Sequence, residues 1–289
     1  MHTQVQQPMT RPFLAPIAKF QPEDRILGRI GSLEVRLAAT HSEIEAAQAL
    51  RYRVFVEEMG AQLPADAMLQ KRDFDRVDRY CDHLLVLDTA LTGSTEDQIV
   101  GTYRLLRQEV AARHDGFYSQ NEFDVMDLVG RSPDKRFLEL GRSCVLSTYR
   151  IRRTLEALWQ GTWAYALGHG IDVMFGCASF PGARPYAHAL ALSFLNQTAA
   201  ANDEWNVRAI AGRGLSMDMM PAEAINPRAA IAAMPPLVKG YLRVGAVVSR
   251  EAVVDTAFRT TDVLVMLPVK QINGRYLNHY GADASRFAA

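Results

Sequence analysis

Phe137–Arg153, reading FLELGRSCVLSTYRIRR, is the stretch from which the rest of the chain is read. It opens as an apolar strand carrying Glu139, breaks at Gly141, presents Arg142 and resumes at Cys144-Val145-Leu146. It then delivers Arg150, Arg152 and Arg153 to the start of a helix. Residues three apart in a regular strand face opposite sides, so Glu139 and Arg142 share a face only if a bulge at Gly141 adds a residue. The alternative is a Glu–Arg pair at the edge of the core. Cations at a helix start oppose its dipole by about a few tenths of a kcal/mol each, a cost that an anionic partner docking there would offset. A solvated helix start is the plainer reading of the same arginines.

Working outward, TLEALWQGTWAYALGHG is a helix with Leu155, Leu158, Trp159, Thr162 and Ala166 on one face, ended by Gly168 or Gly170. Asp172 to Phe180 is a buried strand, and Pro185 to Asn196 a short helix. From about 200 to 235 the Ala, Met and Pro content marks an insertion or surface excursion. Pro235 to Ala246 re-enters the body, and Thr261 to Pro268 is a last apolar strand. Upstream, Leu33 to Leu37 alternates strictly as a first strand. Ser42-Glu43-Ile44-Glu45 reads as a capping box opening a helix that runs through RYRVFVEEMG. His83 to Asp88 and Ile99 to Leu106 form a hairpin, with Arg104 among Val100, Thr102 and Leu106. A buried Arg104 needs a carboxylate partner, as a structural ion pair or a pocket cation. Residues 60–80 crowd Asp66, Asp73, Asp75 and Asp78 with Lys71, Arg72, Arg76 and Arg79, either as a solvated loop or as an acidic wall for a cationic substrate. The expected layout is an arm over 1–30, a single domain over 31–280 and a tail over 281–289.

The 289 residues suffice for a sizeable core. With 32 Lys+Arg against 32 Asp+Glu, no overall field draws the chain to nucleic acid or an anionic membrane. Cys81, Cys144 and Cys177 stand singly, as reduced core residues do. No apolar run suits a signal peptide, and none approaches the roughly 20 residues of a spanning helix, so a cytoplasmic protein with surface contact to the inner membrane is expected. His83 and Asp88 match an H-x-x-x-x-D spacing, but five apart in a strand they point to opposite faces. The scattered His make no zinc pattern, so no metal is expected, and there is no G-x-S-x-G elbow or Walker loop.

On RYRVFVEEMG, DFDRVDRYCDHLLV, IVGTYRLL, FLELGRSCV, FGCASF, PPLVKGYLRVGA and FRTTDVLVMLPV, the chain resembles the bacterial ornithine-acyl carrier protein N-acyltransferases of the GNAT-like superfamily. Its first half is also similar to acyl-homoserine lactone synthases, through Arg51 to Phe55, Asp75 and Asp78, Gly101 to Leu106, and Glu139 with Arg142. It lacks their Trp between the first helix and the acidic loop. The resemblance implies an α+β, GNAT-like fold whose central mixed, mostly antiparallel twisted sheet is flanked by helices. It implies transfer of a 3-hydroxyacyl group from acyl carrier protein to the α-amine of ornithine, the 4′-phosphopantetheine arriving on the carrier and no cofactor being resident. Glu139 is then the expected base, with oxyanion stabilisation from the backbone at Gly141 and Arg142 in the same catalytic group. Asp75 and Asp78 take the cationic end of ornithine, and Arg53 joins the substrate-binding set. Arg104 or Arg142 binds the carboxylate or holds those acids. Tyr149 is a candidate to protonate the thiolate. No Gly-rich pyrophosphate loop follows Val145, so Arg150, Arg152 and Arg153 are expected to dock an acidic carrier rather than coenzyme A. The alternatives are a lactone-synthase-like enzyme and a non-catalytic, membrane-interacting protein of haemolysin type.

Overall fold

A computed structural model describes residues 26–272. In chain order the elements are β1 (Ile26–Ile30), β2 (Leu33–Leu37), α1 (His41–Tyr52), α2 (Ala65–Gln70), β3 (Asp82–Asp88), β4 (Ile99–Arg107), α3 (Gln108–Ala111), α4 (Val125–Arg131) and β5 (Phe137–Val145). There follow α5 (Arg152–Gly168), β6 (Val173–Pro181), α6 (Ala189–Thr198), β7 (Gly214–Ser216), α7 (Pro227–Ala233), α8 (Pro236–Val244), β8 (Val247–Asp255) and β9 (Thr260–Pro268). The nine strands make one sheet in the order β1-β2-β3-β4-β5-β6-β9-β8-β7. Neighbours are antiparallel except β5 and β6, which run parallel with α5 as their crossover. This is the mixed, mostly antiparallel sheet that the family resemblance implies.

Alternation along the strands splits the side chains between two layers. On one face Val35, Leu84, Tyr103, Leu105, Leu138, Leu140, Met174 and Val265 pack with Ala157, Ala164 and Tyr165 of α5. The helix lies close because Gly161 has no side chain, where a Cβ would stand 2.4 Å from Val35 Cγ1. On the other face Phe117, Phe123, Phe137, Phe175, Trp205 and Leu264 form one apolar group, and Ala47, Leu50 and Val54 with Leu85 and Cys144 another. β4 and β9 are buried on both faces, which is why their sequences are nearly continuous in apolar residues.

Two irregularities in β5 shape the functional region. Thr102 pairs with Cys144 but Arg104 with Gly141, so β5 holds one residue more than β4 across this step. The expected bulge is therefore present, but its left-handed residue is Arg142, at φ 54°, rather than Gly141. Ladder pairing between β5 and β6 covers only Phe137–Glu139 and Val173–Phe175. Beyond it β5 stays with β4 and β6 with β9, so the two strands part as a fork. At the apex a Cβ on Gly176 would meet the Leu140 carbonyl oxygen at 2.1 Å, so only glycine fits there.

Several expectations need correction. Ile26–Ile30 is a strand paired with β2 rather than part of an arm. The rest of the arm and the 281–289 tail lie outside the described residues. The cap of α1 is Thr40, whose Oγ1 accepts from Glu43 N at 3.2 Å. Past Tyr52 the same helix continues in π form over Arg53–Glu58. On α5, Leu155 is exposed, whereas Leu158, Thr162 and Ala166 of the expected face are buried together with Ala157, Gly161 and Ala164. The 200–235 segment is largely exposed but anchored, since it buries Ala201, Trp205, Val207, Met217 and Ala230 and supplies β7. Among the described residues no helix is long and apolar enough to cross a membrane.

Candidate active site

Three arginines and three aspartates meet on the face of the sheet away from α5. Arg51 reaches in from α1, Arg104 stands on β4 opposite Gly141, and the bulge turns Arg142 of β5 toward both. Arg51 is fully buried, with Nε 3.0 Å from Asp73 Oδ2 and Nη2 2.9 and 2.8 Å from the two oxygens of Asp78. Nη1 of Arg104 donates to both oxygens of Asp75 at 2.8 Å and lies 3.5 Å from Asp78 Oδ1. Arg142 places Nε 3.2 Å from Asp73 Oδ2 and Nη2 3.5 Å from Asp75 Oδ2, while its guanidinium sits over the Tyr118 and Phe258 rings at 4.4 and 4.3 Å. Burial pushes the Asp75 and Asp78 carboxyls up, but the guanidiniums overcome it and hold both below the ordinary carboxylate range. Burial likewise depresses His83, whose Nε2 lies 2.9 Å from the Asp78 carbonyl oxygen.

The cluster is thus charge-balanced. Asp78 is 5% exposed and committed to Arg51, so it is scaffold, whereas Asp75 borders a small cleft with Val77, Phe117 and Tyr118. This pair leaves no net negative charge for a cationic substrate. Arg53 does not belong to the group: it is exposed, because residues two apart on a helix point nearly opposite ways. Arg51 fits the buried stripe of Ala47, Leu50 and Val54, which is the signal that separates the two.

Glu139 is 4% exposed and accepts from Tyr118 N at 2.8 Å, Ser119 N at 2.7 Å and the Ser119 hydroxyl. Three of its roughly four lone-pair positions are filled, leaving about one for a water or an amine. Arg142 donates to the Tyr118 hydroxyl at 3.1 Å, so Glu139 and Arg142 grip the same tyrosine by backbone and ring. The bulge does bring them to one face. Gly141 lies beside the Arg104 guanidinium, where a Cβ would stand 3.7 Å from Nε and 3.9 Å from Nη2. That Nη2 is buried without a hydrogen-bond partner.

The remaining expected residues lie apart. Tyr149 donates to Asp88 at 2.8 Å at the end of β3, so its hydroxyl is committed elsewhere. Arg150 pairs with Glu58 and donates to the Val145 carbonyl at 3.1 Å, and Arg152 pairs with Glu156 at 2.6 Å. Arg153 is exposed. The first turn of α5 has no acidic residue, and its cap, Ile151, offers no side-chain acceptor. The sequence reading also misses a second group, Glu122, Asp255 and Asp262, whose carboxylate oxygens lie within 4.8 Å of one another. Asp255 and Asp262 come together on the β8–β9 hairpin, and Glu122 joins them from the end of the 118–121 turn, far away in the chain.

The acetyltransferase (GNAT) domain model matches residues 50–160, from the end of α1 into α5. FeeM, an N-acyl amino acid synthase from uncultured soil microbes, shares the fold with a TM-score of 0.50 over 86% of this chain and 98% of its own, at 11% identity. The L-ornithine N(alpha)-acyltransferase of Rhizobium meliloti (strain 1021) is 62% identical over 268 residues, 93% of this chain and 90% of that one. The enzyme of the same name from Agrobacterium fabrum (strain C58 / ATCC 33970) is 60% identical over 92% and 91% of the two chains. With such identity over nearly the whole of both chains, the protein is an acyltransferase and belongs to the L-ornithine N(alpha)-acyltransferase family.

Proposed function

We propose that the protein transfers a 3-hydroxyacyl group from acyl carrier protein to the α-amine of L-ornithine, giving a lyso-ornithine lipid. The observation that carries the acceptor is identity of 62% and 60% to relatives named for that reaction. In the balanced step the α-ammonium gives up one proton and the free amine attacks the thioester carbonyl carbon. The C–N bond forms, the C–S bond breaks, and the second proton shed by the nitrogen ends on the departing carrier thiolate. The fork between β5 and β6 is where the thioester arm enters, because the facing edges past Glu139 and Phe175 are not paired to each other. The backbone of the Gly141–Arg142 bulge faces the carbonyl and supplies the oxyanion donor. Glu139, through its one open lone-pair position, takes the amine proton directly or through a water. Arg104 Nη2, a buried donor without a partner beside Gly141, takes the substrate carboxylate.

The donor reading rests on the start of α5, where Arg150, Arg152 and Arg153 flank a first turn with no acid of its own. An acidic carrier bearing its own phosphopantetheine suits such a surface, and no resident cofactor is then needed. Release of an amphiphilic product favours peripheral contact with the inner membrane. The deciding assay offers labelled 3-hydroxyacyl carrier protein or 3-hydroxyacyl coenzyme A with ornithine, lysine, glutamine, glycine or S-adenosylmethionine. An extractable ornithine lipid made from the carrier is expected. Equal use of coenzyme A overturns the donor, and a lactone from S-adenosylmethionine overturns the acceptor.

A further inference from the structure

Glu122, Asp255 and Asp262 converge from three elements: the end of the turn that Glu139 anchors, the end of β8, and β9. Asp262 pairs directly with Ser179 of β6, which is exposed, so the group has a route to solvent. Glu122 and Asp262 are only 5% and 6% exposed. Little neutralises them. Asp255 Oδ1 accepts from the Ala257 and Phe258 amides at 2.8 and 2.9 Å, and Glu122 Oε2 meets the Cys177 thiol at 3.5 Å. Arg213 comes no closer than 3.8 Å to Glu122 and spends its donors on the Asn121 and Val254 carbonyls. Asp262 Oδ1, more than nine-tenths buried, has no hydrogen-bond partner at all. A buried carboxylate oxygen without a donor is costly unless a ligand supplies one. Burial, then the neighbouring Asp262 and Asp255, pushes Glu122 up to about 7. Burial also pushes Asp262 up to about 6, against the pull of the Thr260 and Ser179 hydroxyls.

Resting on the acceptor reading above, we propose that this trio seats the δ-ammonium of ornithine, the amine that does not react, and so selects a diamino acid. The chemistry fixes which amine. An ammonium among carboxylates holds its proton more tightly, which suits a group that must stay charged and opposes one that must become a nucleophile. The position agrees, since Cys177 stands on β6 two residues beyond the last pair of the β5–β6 ladder and touches Glu122. The trio therefore lines the bank of the fork opposite Arg142. The expected acidic seat at Asp75 and Asp78 is already neutralised by arginine, which among the described residues leaves the trio as the buried acidic group able to take a cation.

The test compares wild type, Glu122→Gln and Asp262→Asn on L-ornithine and on L-norvaline, which has the same carbon chain without the δ-amine. Both substitutions keep size and remove unneutralised charge, so both variants should melt no lower than wild type. Wild type should prefer ornithine by at least about tenfold in kcat/KM, as sites built around a polar group reject analogues lacking it. Each variant should raise KM for ornithine roughly tenfold while leaving kcat/KM for norvaline within about twofold, so the preference collapses. An equal loss on both acceptors would make the trio a base or a structural element and overturn the inference. So would a divalent-cation requirement shared by both acceptors and removed by either substitution. If wild type acylates ornithine and both variants keep the preference, the inference alone falls. If wild type acylates another amino acid but not ornithine, the acceptor reading falls with it.

Discussion

On the β4–β5 side of the fork, Arg51, Arg104 and Arg142 face Asp73, Asp75 and Asp78, cation against anion; on the β6–β9–β8 side, Glu122, Asp255 and Asp262 face one another. Both groups are largely buried and burial pushes the carboxyls of both up, yet the net shifts have opposite signs. Arginine beside Asp75 and Asp78 more than offsets desolvation, and their carboxyls ionise more readily than usual. Without such partners Glu122 and Asp262 ionise less readily. The first group is charge-balanced and holds backbone and tyrosine in place, with buried N–H donors such as Arg104 Nη2 left open for an anion. The second is electrostatically incomplete, and incompleteness in a buried site is what a charged substrate can resolve.

The sharpest way to break this contrast is to unbalance the balanced side. Arg51→Ala leaves Asp73 and Asp78 buried without their main cation, at a cost of roughly 3–5 kcal/mol. Thermal unfolding should show a fall on the order of 10 °C. Arg53→Ala, two residues along on the exposed face, should stay within about 0.5 kcal/mol of wild type. Equal effects from both would mean that Arg51 is not the keystone of the cluster.

Unbalancing the other side should do the reverse. The folded chain holds a proton on Glu122 up to about pH 7, while in the unfolded chain the same group ionises near its ordinary 4.5. Stability contributed by the bound proton is therefore lost as pH rises from about 4.5 through 7, by on the order of 3 kcal/mol. Asp75 and Asp78 have the opposite sign: their stabilisation is present above the ordinary aspartate value of 3.8 and is lost as pH falls through their lower folded values. Urea midpoints should peak on the mildly acidic side of neutrality. Glu122→Gln should flatten the descending limb toward pH 8 and leave the acid limb unchanged. A variant with the wild-type profile would assign that limb to another group.

Glu139 lies between the two banks and tests how far they depend on it. Glu139→Gln turns one acceptor oxygen into a donor facing the Tyr118 or Ser119 amide, costing roughly 1–3 kcal/mol. Turnover should drop by roughly a hundredfold or more, with the carrier KM unchanged. Near-normal turnover in the folded variant would remove Glu139 as base and leave it as the clamp on the 118–121 turn.

How much of this was legible in sequence follows from how each group is encoded. Arg104, Glu139 and Arg142 sit on strands whose alternation places them, and Asp75 and Asp78 fall in one short loop, so the balanced side could be assembled from spacing. Choosing Arg51 over Arg53 required helical phase rather than motif matching. The bulge could be inferred from parity, but not that Arg142 would adopt the left-handed conformation in preference to Gly141. β1 follows a proline-rich segment, and β8 shares its apolar character with the helix before it, so neither separates cleanly from its surroundings. Asp255 and Asp262 stand 7 residues apart on the β8–β9 hairpin, but Glu122 lies 133 residues before Asp255 and reaches them from a separate turn, a long-range approach that no local window contains.

The smallest expected effect concerns the start of α5, which belongs to neither bank and tests whether the fork alone explains donor choice. Arg150 and Arg152 already have carboxylate partners in Glu58 and Glu156, so their charge toward a carrier is partly spent. Arg153 shares the same uncapped first turn, where backbone N–H groups add to its field. Arg153→Ala should therefore raise the carrier KM more than Arg152→Ala, by a few-fold at low salt, and the difference should vanish near 0.5 M salt, where the Debye length is roughly 4 Å. Arg153→Ala should not lower thermal stability, because removing a cation from a helix start relieves about a few tenths of a kcal/mol, and in Arg152→Ala the loss of the Glu156 pair roughly offsets the same relief. Identical, salt-independent KM values for both variants would move the docking surface off α5 and leave the fork to select the donor.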